Sequence, residues 1–268
     1  MSLALTACLL AIATALACAV PGVFVVLKQD SMLIDGIGHA VLPGIAVGYL
    51  FTSDLNSPVL LLTAAAGGLA VALGSEWLRR TGYLAGDAAL GLVFPSLFAA
   101  GVVLISTRFA HVHLDVHAVL VGDLNLVAFS SPGYIWVMLG MLAINLAFVL
   151  AFWPRLIIST CDPTLLRGRA IHTAFMACVA CTTTAAFQSA GAMLVIALMV
   201  FPAITARLLT NRVRDMLLMA CAVASLSAVA GFWLAYQLNV ATSPCITVVN
   251  ALVFAVVLTL RRRQQPNK

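Results

Sequence analysis

The sequence predicts an all-α fold, a polytopic bundle of about 8 to 9 membrane-spanning helices. Three observations carry that reading. Of 268 residues, 63% are hydrophobic and 9% charged, where a soluble domain has about 25% charged residues. The apolar residues gather into runs close to the ~20 residues that cross the hydrocarbon core of a bilayer. The cationic residues fall almost wholly between those runs.

The runs follow one another at 3–27, 32–51, 58–78, 88–106, 133–153, 170–187, 190–209, 216–236 and 245–260. The first ends in small residues, as a cleavable signal does, but no Lys or Arg precedes it, so a retained helix is expected. The second carries Gly44 and Gly48 in a GxxxG, a face suited to close helix packing. The third closes on Arg79 and Arg80, and the fourth ends just before Arg108. The sixth and seventh are short and nearly continuous, so two spans or one span with a re-entrant piece both fit. Pro21, Pro43, Pro95 and Pro202 lie inside apolar runs, where proline is tolerated if neighbouring protein satisfies the freed carbonyl. No span repeats another, and residues 1–268 read as a single transmembrane domain.

The net charge of +5 does not mark a nucleic-acid binder, because the basic residues act as topology signals. Placing the chain start outside gathers Lys28, Arg79, Arg80, Arg155, Arg167, Arg169, Arg207, Arg212, Arg214, Arg261, Arg262, Arg263 and Lys268 on one side and leaves Arg108 opposite. The positive-inside rule makes the basic side cytoplasmic, with the carboxyl terminus inside. The seven cysteines are odd in number and lie mostly within apolar runs, which argues against a disulfide framework. Cys178 and Cys181 form a CxxC with no second pair to complete a zinc site.

Two ionisable residues stand out in DSMLIDGIGHAVLPGIAVGYL. An aspartate at the centre of a membrane helix costs roughly 2.5–3.5 kcal/mol on insertion scales, so such residues tend to carry function. Asp35 and His39 are four apart, which sets a carboxylate and an imidazole on one helical face. Oxygen with nitrogen suits a borderline divalent metal such as Mn, Fe or Zn and not soft Cu(I). A capping aspartate and a packed histidine would give the same spacing, although Asp30 and Ser31 are better placed to cap.

A second set, His111, His113, Asp115 and His117, alternates along RFAHVHLDVHAVLVGDLNLV. In an extended segment these four would line one edge as candidate metal ligands. An interfacial amphipathic segment explains the same alternation without metal. On the basic side, within a cytoplasmic segment at about 159–169, Asp162, Pro163, Thr164, Leu165, Leu166, Arg167 and Gly168 form DPTLLRG with its Asp-Pro helix start and Gly stop. A short cytoplasmic helix there is a connector or a docking element for a soluble partner.

No GxxxxGK[ST] phosphate loop occurs and Lys28 and Lys268 are the only lysines, so the chain cannot drive itself by the P-loop route. GxSxG and HExxH are missing too, and no enzymatic chemistry has a visible carrier. A proton- or ion-coupled secondary metal carrier would use buried acid and histidine groups in a similar way and remains the rival class.

The strings LKQDSMLIDGIGHAVLPGIAVGYL, LRRTGYLAGDAALGLVFPSLFAAGVVLIS, CDPTLLRG and SAGAMLVIALMVFPAITARLL together resemble the membrane permeases of ATP-binding-cassette importers for zinc, manganese and iron. The resemblance implies that Asp35 and His39 are an intramembrane pair that coordinates the transported metal, with no permanently bound cofactor. It also implies that Asp162 to Gly168 is the coupling helix for a cytoplasmic ATPase subunit. The expected assembly pairs this chain with a second permease subunit, identical or not, in the lipid of a bacterial plasma membrane, fed by an extracytoplasmic metal-binding protein. One departure is TSPCITVVN, where Pro244 and Cys245 replace a serine- and glycine-rich approach to the last helix.

Overall fold

The computed structural model describes residues 3–52, 59–84, 87–108, 124–161 and 169–264, which form ten helices and, among the described residues, no strand. They are α1 (Leu3–Leu27), α2 (Ser31–Thr52), α3 (Val59–Arg80), α4 (Ala88–Arg108), α5 (Leu124–Ser130), α6 (Tyr134–Ala151), α7 (Trp153–Cys161), α8 (Arg169–Leu209), α9 (Val213–Leu238) and α10 (Thr242–Gln264). All but the short α5 and α7 are long and apolar enough to cross a membrane, which gives eight candidate spans and a multi-pass membrane protein.

Helix α1 is the axis of the bundle and packs against α5, α6, α8 and α9. Its buried face is built from Ala7, Ala11, Ala15 and Ala19, small side chains that let neighbouring backbones come close. Lipid tails are as apolar as leucine, so helices associate in a bilayer through such packing and through interhelical hydrogen bonds. At the far end of α1 the fully buried Phe24 meets Trp153 and Phe175 edge-on, each at 6.1 Å.

Pro21 has no N–H and cannot donate to the carbonyl four residues back, that of Ala17. Asn145 of α6 supplies the replacement. Its Nδ2 donates to Ala17 O at 3.2 Å and contacts Thr182 Oγ1 of α8 at 2.8 Å, so one buried amide joins three helices.

Helix α8 resolves the ambiguous junction between the sixth and seventh apolar runs. Gly191 has φ 77° and ψ 167°, a conformation nearly confined to glycine. The Thr183 hydroxyl lies 3.8 Å from Met199 Sδ, sixteen residues on, a separation that would be about 24 Å along a straight helix. The chain therefore folds back on itself at Gly191. Its arms, 169–190 and 192–209, are about 33 and 27 Å long at 1.5 Å per residue, near the ~30 Å hydrocarbon core. Counting them separately turns eight spans into nine.

Helices α2 and α3 form the closest pair. A Cβ at Gly44 would come within 2.7 Å of Ala64 Cα, and one at Gly48 would overlap the Thr63 hydroxyl, so both glycines of the GxxxG are needed for this approach. The TSPC departure is accommodated without disruption. Pro244 sits in the first turn of α10, where its missing N–H has no helical acceptor, and Ile246 is buried against Gly231 of α9.

Leu92, Val103, Leu150, Leu252 and Val256 stay exposed on the outer helices, as lipid-facing residues must. Exposed aromatics mark both ends of the bundle, with Trp77 and Tyr83 at one and Trp136, Trp233 and Tyr236 at the other. This is the distribution of interfacial aromatic belts.

Candidate metal centre

Helix α2 begins at a tight corner. Gln29 takes a left-handed φ of 61°, and the amides of Lys28, Gln29 and Asp30 bond back to the last turn of α1. The Asp30 carboxylate does not serve simply as the cap its position suggests. Its Oδ1 accepts from Arg79 Nη1 at 2.7 Å, which ties the start of α2 to the end of α3. Lys28 Nζ lies 5.0 Å from the centroid of Phe175 on α8. Burial pushes the Lys28 amine below its ordinary range, against the opposing pull of the Asp30 and Glu76 charges. Lys28, Asp30, Arg79 and the start of α8 thus share one end of the bundle, consistent with the basic side read from the sequence.

From this anchored start α2 carries Asp35 and His39 to the same face. Asp35 Oδ1 and His39 Nε2 are 3.5 Å apart. That is long for a hydrogen bond and close to the bite of a metal site, since two bonds of about 2.1 Å at a tetrahedral angle span about 3.4 Å. The two side chains keep 44% and 32% of their surface exposed, so the pair lies at the edge of the subunit and not in its packed interior. Phe94 and Phe98 of α4 flank the imidazole, with centroids 5.1 and 5.8 Å away. The histidine is therefore packed on one side and open on the other. Among the described residues no third His, Cys, Asp or Glu completes a cluster with them.

The structure thus brings together Asp35 and His39 of the candidate ligands. His111, His113, Asp115 and His117, and the docking segment Asp162 to Gly168, lie outside the described residues. Cys178 and Cys181 are free thiols. Sequence reasoning missed the aromatic wall of Phe94 and Phe98 and the clasp at Asn145. A polar side chain in the middle of the fifth apolar run was the available signal for Asn145.

An all-helical bundle with an acid–imidazole pair at the edge of one span and no phosphate loop has the architecture of a membrane permease. The chain belongs to the ABC 3 transport family, whose pattern matches residues 1–261. It is 34% identical over 252 residues to the manganese transport system membrane protein MntD of Bacillus subtilis, covering 89% of this chain and 85% of that one. It is 36% identical over 263 residues to the zinc transport system membrane protein TroD of Treponema pallidum, covering 93% and 71% respectively. Among solved structures it resembles PsaBC of Streptococcus pneumoniae, determined in complex with a Fab, with a TM-score of 0.80 and 25% identity over 96% of this chain and 91% of that one.

Proposed function

We propose that this chain is the membrane-spanning permease subunit of an ATP-driven importer of divalent manganese or zinc, and that Asp35 and His39 hold the metal transiently on its way through. The observation that carries the proposal is the half-open pair on α2, one oxygen and one nitrogen donor 3.5 Å apart within a span. Relatives named for manganese and for zinc transport support both cargoes.

Two donors from one chain leave most of a metal's coordination shell unfilled. Because both side chains open toward the subunit's edge, a second permease subunit facing them would supply further donors and keep the carboxylate away from lipid. A shell made of a few weak contacts suits passage, which needs binding favourable enough to admit the ion and weak enough to release it.

The remaining parts follow from chemistry that the chain lacks. With no P-loop, ATP hydrolysis belongs to a separate cytoplasmic ATPase, which would dock on Asp162 to Gly168. The metal would arrive on an extracytoplasmic binding protein at the opposite face. The charge asymmetry supports a carboxyl terminus on the cytoplasmic side of a bacterial plasma membrane.

Reconstitution tests the proposal. Liposomes carrying the permease and its ATPase take up manganese only with ATP and the binding protein. Uptake by the permease alone, driven by an imposed proton or sodium gradient, would instead make it a secondary carrier.

A further inference from the structure

A histidine that binds metal is ordinarily oriented by a hydrogen bond from its second ring nitrogen to a carboxylate or a carbonyl. Neighbours must set the ring plane, because the outer torsion of a histidine side chain is intrinsically broad. In this chain Nε2 of His39 faces Asp35, and among the described residues no hydrogen bond reaches the other nitrogen, Nδ1. Two rings of α4 take that place. Phe94 lies along the face of the imidazole, 5.1 Å away and inclined by 32°, while Phe98 meets it nearly at a right angle, at 5.8 Å and 80°. Both spacings fall within the range of about 4.5–7 Å in which aromatic rings attract, and one stacked and one perpendicular neighbour leave the imidazole little room to turn.

The phenylalanines are themselves held in register, because α2 and α4 touch closely on either side of His39. Three residues before it, a Cβ at Gly36 would come within 2.9 Å of Leu90 Cδ1. Four residues after it, Pro43 lies so close to Gly101 that a Cβ there would overlap the proline ring. Leu90, Phe94, Phe98 and Gly101 follow one another at intervals of four, four and three, which is a single stripe of α4. That stripe is therefore pressed on α2 both before and after the imidazole.

We propose that Phe94 and Phe98 are positioning residues of the metal site, which hold the His39 imidazole in the plane that turns Nε2 to a metal shared with Asp35. This rests on the reading of Asp35 and His39 as cargo ligands. It makes α4 part of the site although that helix contains no His, Cys, Asp or Glu. A hydrogen bond to Nδ1 would also raise the basicity of the ligand. Two phenylalanines orient the ring without doing so, which keeps the metal loosely held, as passage requires.

The test is Mn2+ binding to the assembled transporter, followed in two ways. Free Mn2+ measured by electron spin resonance gives the affinity, and the nitrogen hyperfine coupling of bound Mn2+ at saturation reports whether the imidazole is in its shell. Phe94→Leu keeps the span apolar and removes the ring. Its affinity is expected to fall on the order of tenfold, as when a metal ligand loses a supporting group, and most of the nitrogen coupling should disappear. Phe98→Leu should act in the same direction, and Phe94→Tyr, which keeps the ring, should stay near wild type in both measurements. Wild-type affinity and coupling in the two leucine variants overturn the proposal. So does a weakened affinity with the coupling intact, because the phenylalanines would then only pack the bundle, and so does a Phe94→Tyr variant as weak as Phe94→Leu. If Phe94→Leu fails to assemble, Phe98→Leu is judged in its place by the same criteria. Nitrogen coupling that survives in His39→Ala would remove the underlying reading instead, which separates the two failures.

Discussion

Asn145 and Ala17 sit on different helices, yet the amide of one takes the place of the backbone donor that Pro21 denies to the other, at 3.2 Å. The proline in α1 and the polar residue in α6 are thus one feature. Asn145→Ala should destabilise the solubilised protein by on the order of 1 kcal/mol, the usual size of an interhelical hydrogen bond in a membrane protein. Pro21→Ala restores the helical donor, so the double variant should recover part of that loss. Denaturation of the four proteins in mild detergent measures the coupling, and additive effects would dissolve the pairing.

The reversal at Gly191 carries a prediction of its own. Alanine is strained at φ 77°, ψ 167°, and Gly191→Ala should cost about 1–3 kcal/mol of stability, read from the same denaturation assay. In a cysteine-free background, Gln188→Cys, close to the turn, should react with an impermeant thiol reagent from the outside. Arg207→Cys should react only once the membrane is opened. Labelling of both from the same side would mean that the second arm does not cross.

The two arginines that close α3 should differ. Arg79 is largely buried and reaches Asp30 across helices, whereas Arg80 is more exposed and pairs with Glu76 one turn back on its own helix. Removing one partner of a mostly buried pair strands a charge, so Arg79→Ala should cost about 1–3 kcal/mol while Arg80→Ala costs within about 0.5 kcal/mol. Thermal melts of the two variants decide it, and equal losses would make the Asp30 contact incidental.

These contacts mark where the sequence stops being informative. The long spans were legible because a bilayer demands about twenty apolar residues, so the run at 58–78 became Val59–Arg80 and that at 216–236 became Val213–Leu238. The same criterion is blind to α5 and α7, which are too short to register. Asp35 and His39 could be paired because a helix makes four-residue neighbours predictable. The link from Asp30 to Arg79 spans forty-nine residues, and the wall of Phe94 and Phe98 belongs to another helix, so both depend on tertiary packing that no local pattern encodes. The turn at Gly191 lay between: hydrophobicity located the junction, but only the backbone conformation makes it a hairpin.

The central claim is that Asp35 and His39 handle the metal. Asp35→Asn keeps size and hydrogen-bonding capacity and deletes the charge, so a capping or packing residue would tolerate it and a metal ligand would not. The most direct measurement is ATP-driven manganese uptake by liposomes carrying the complete transporter, wild type against Asp35→Asn, at limiting external manganese and with assembly of the complex checked in parallel. A metal-ligand role for Asp35 predicts a normally assembled complex whose uptake falls to background. Wild-type uptake by that variant would contradict it.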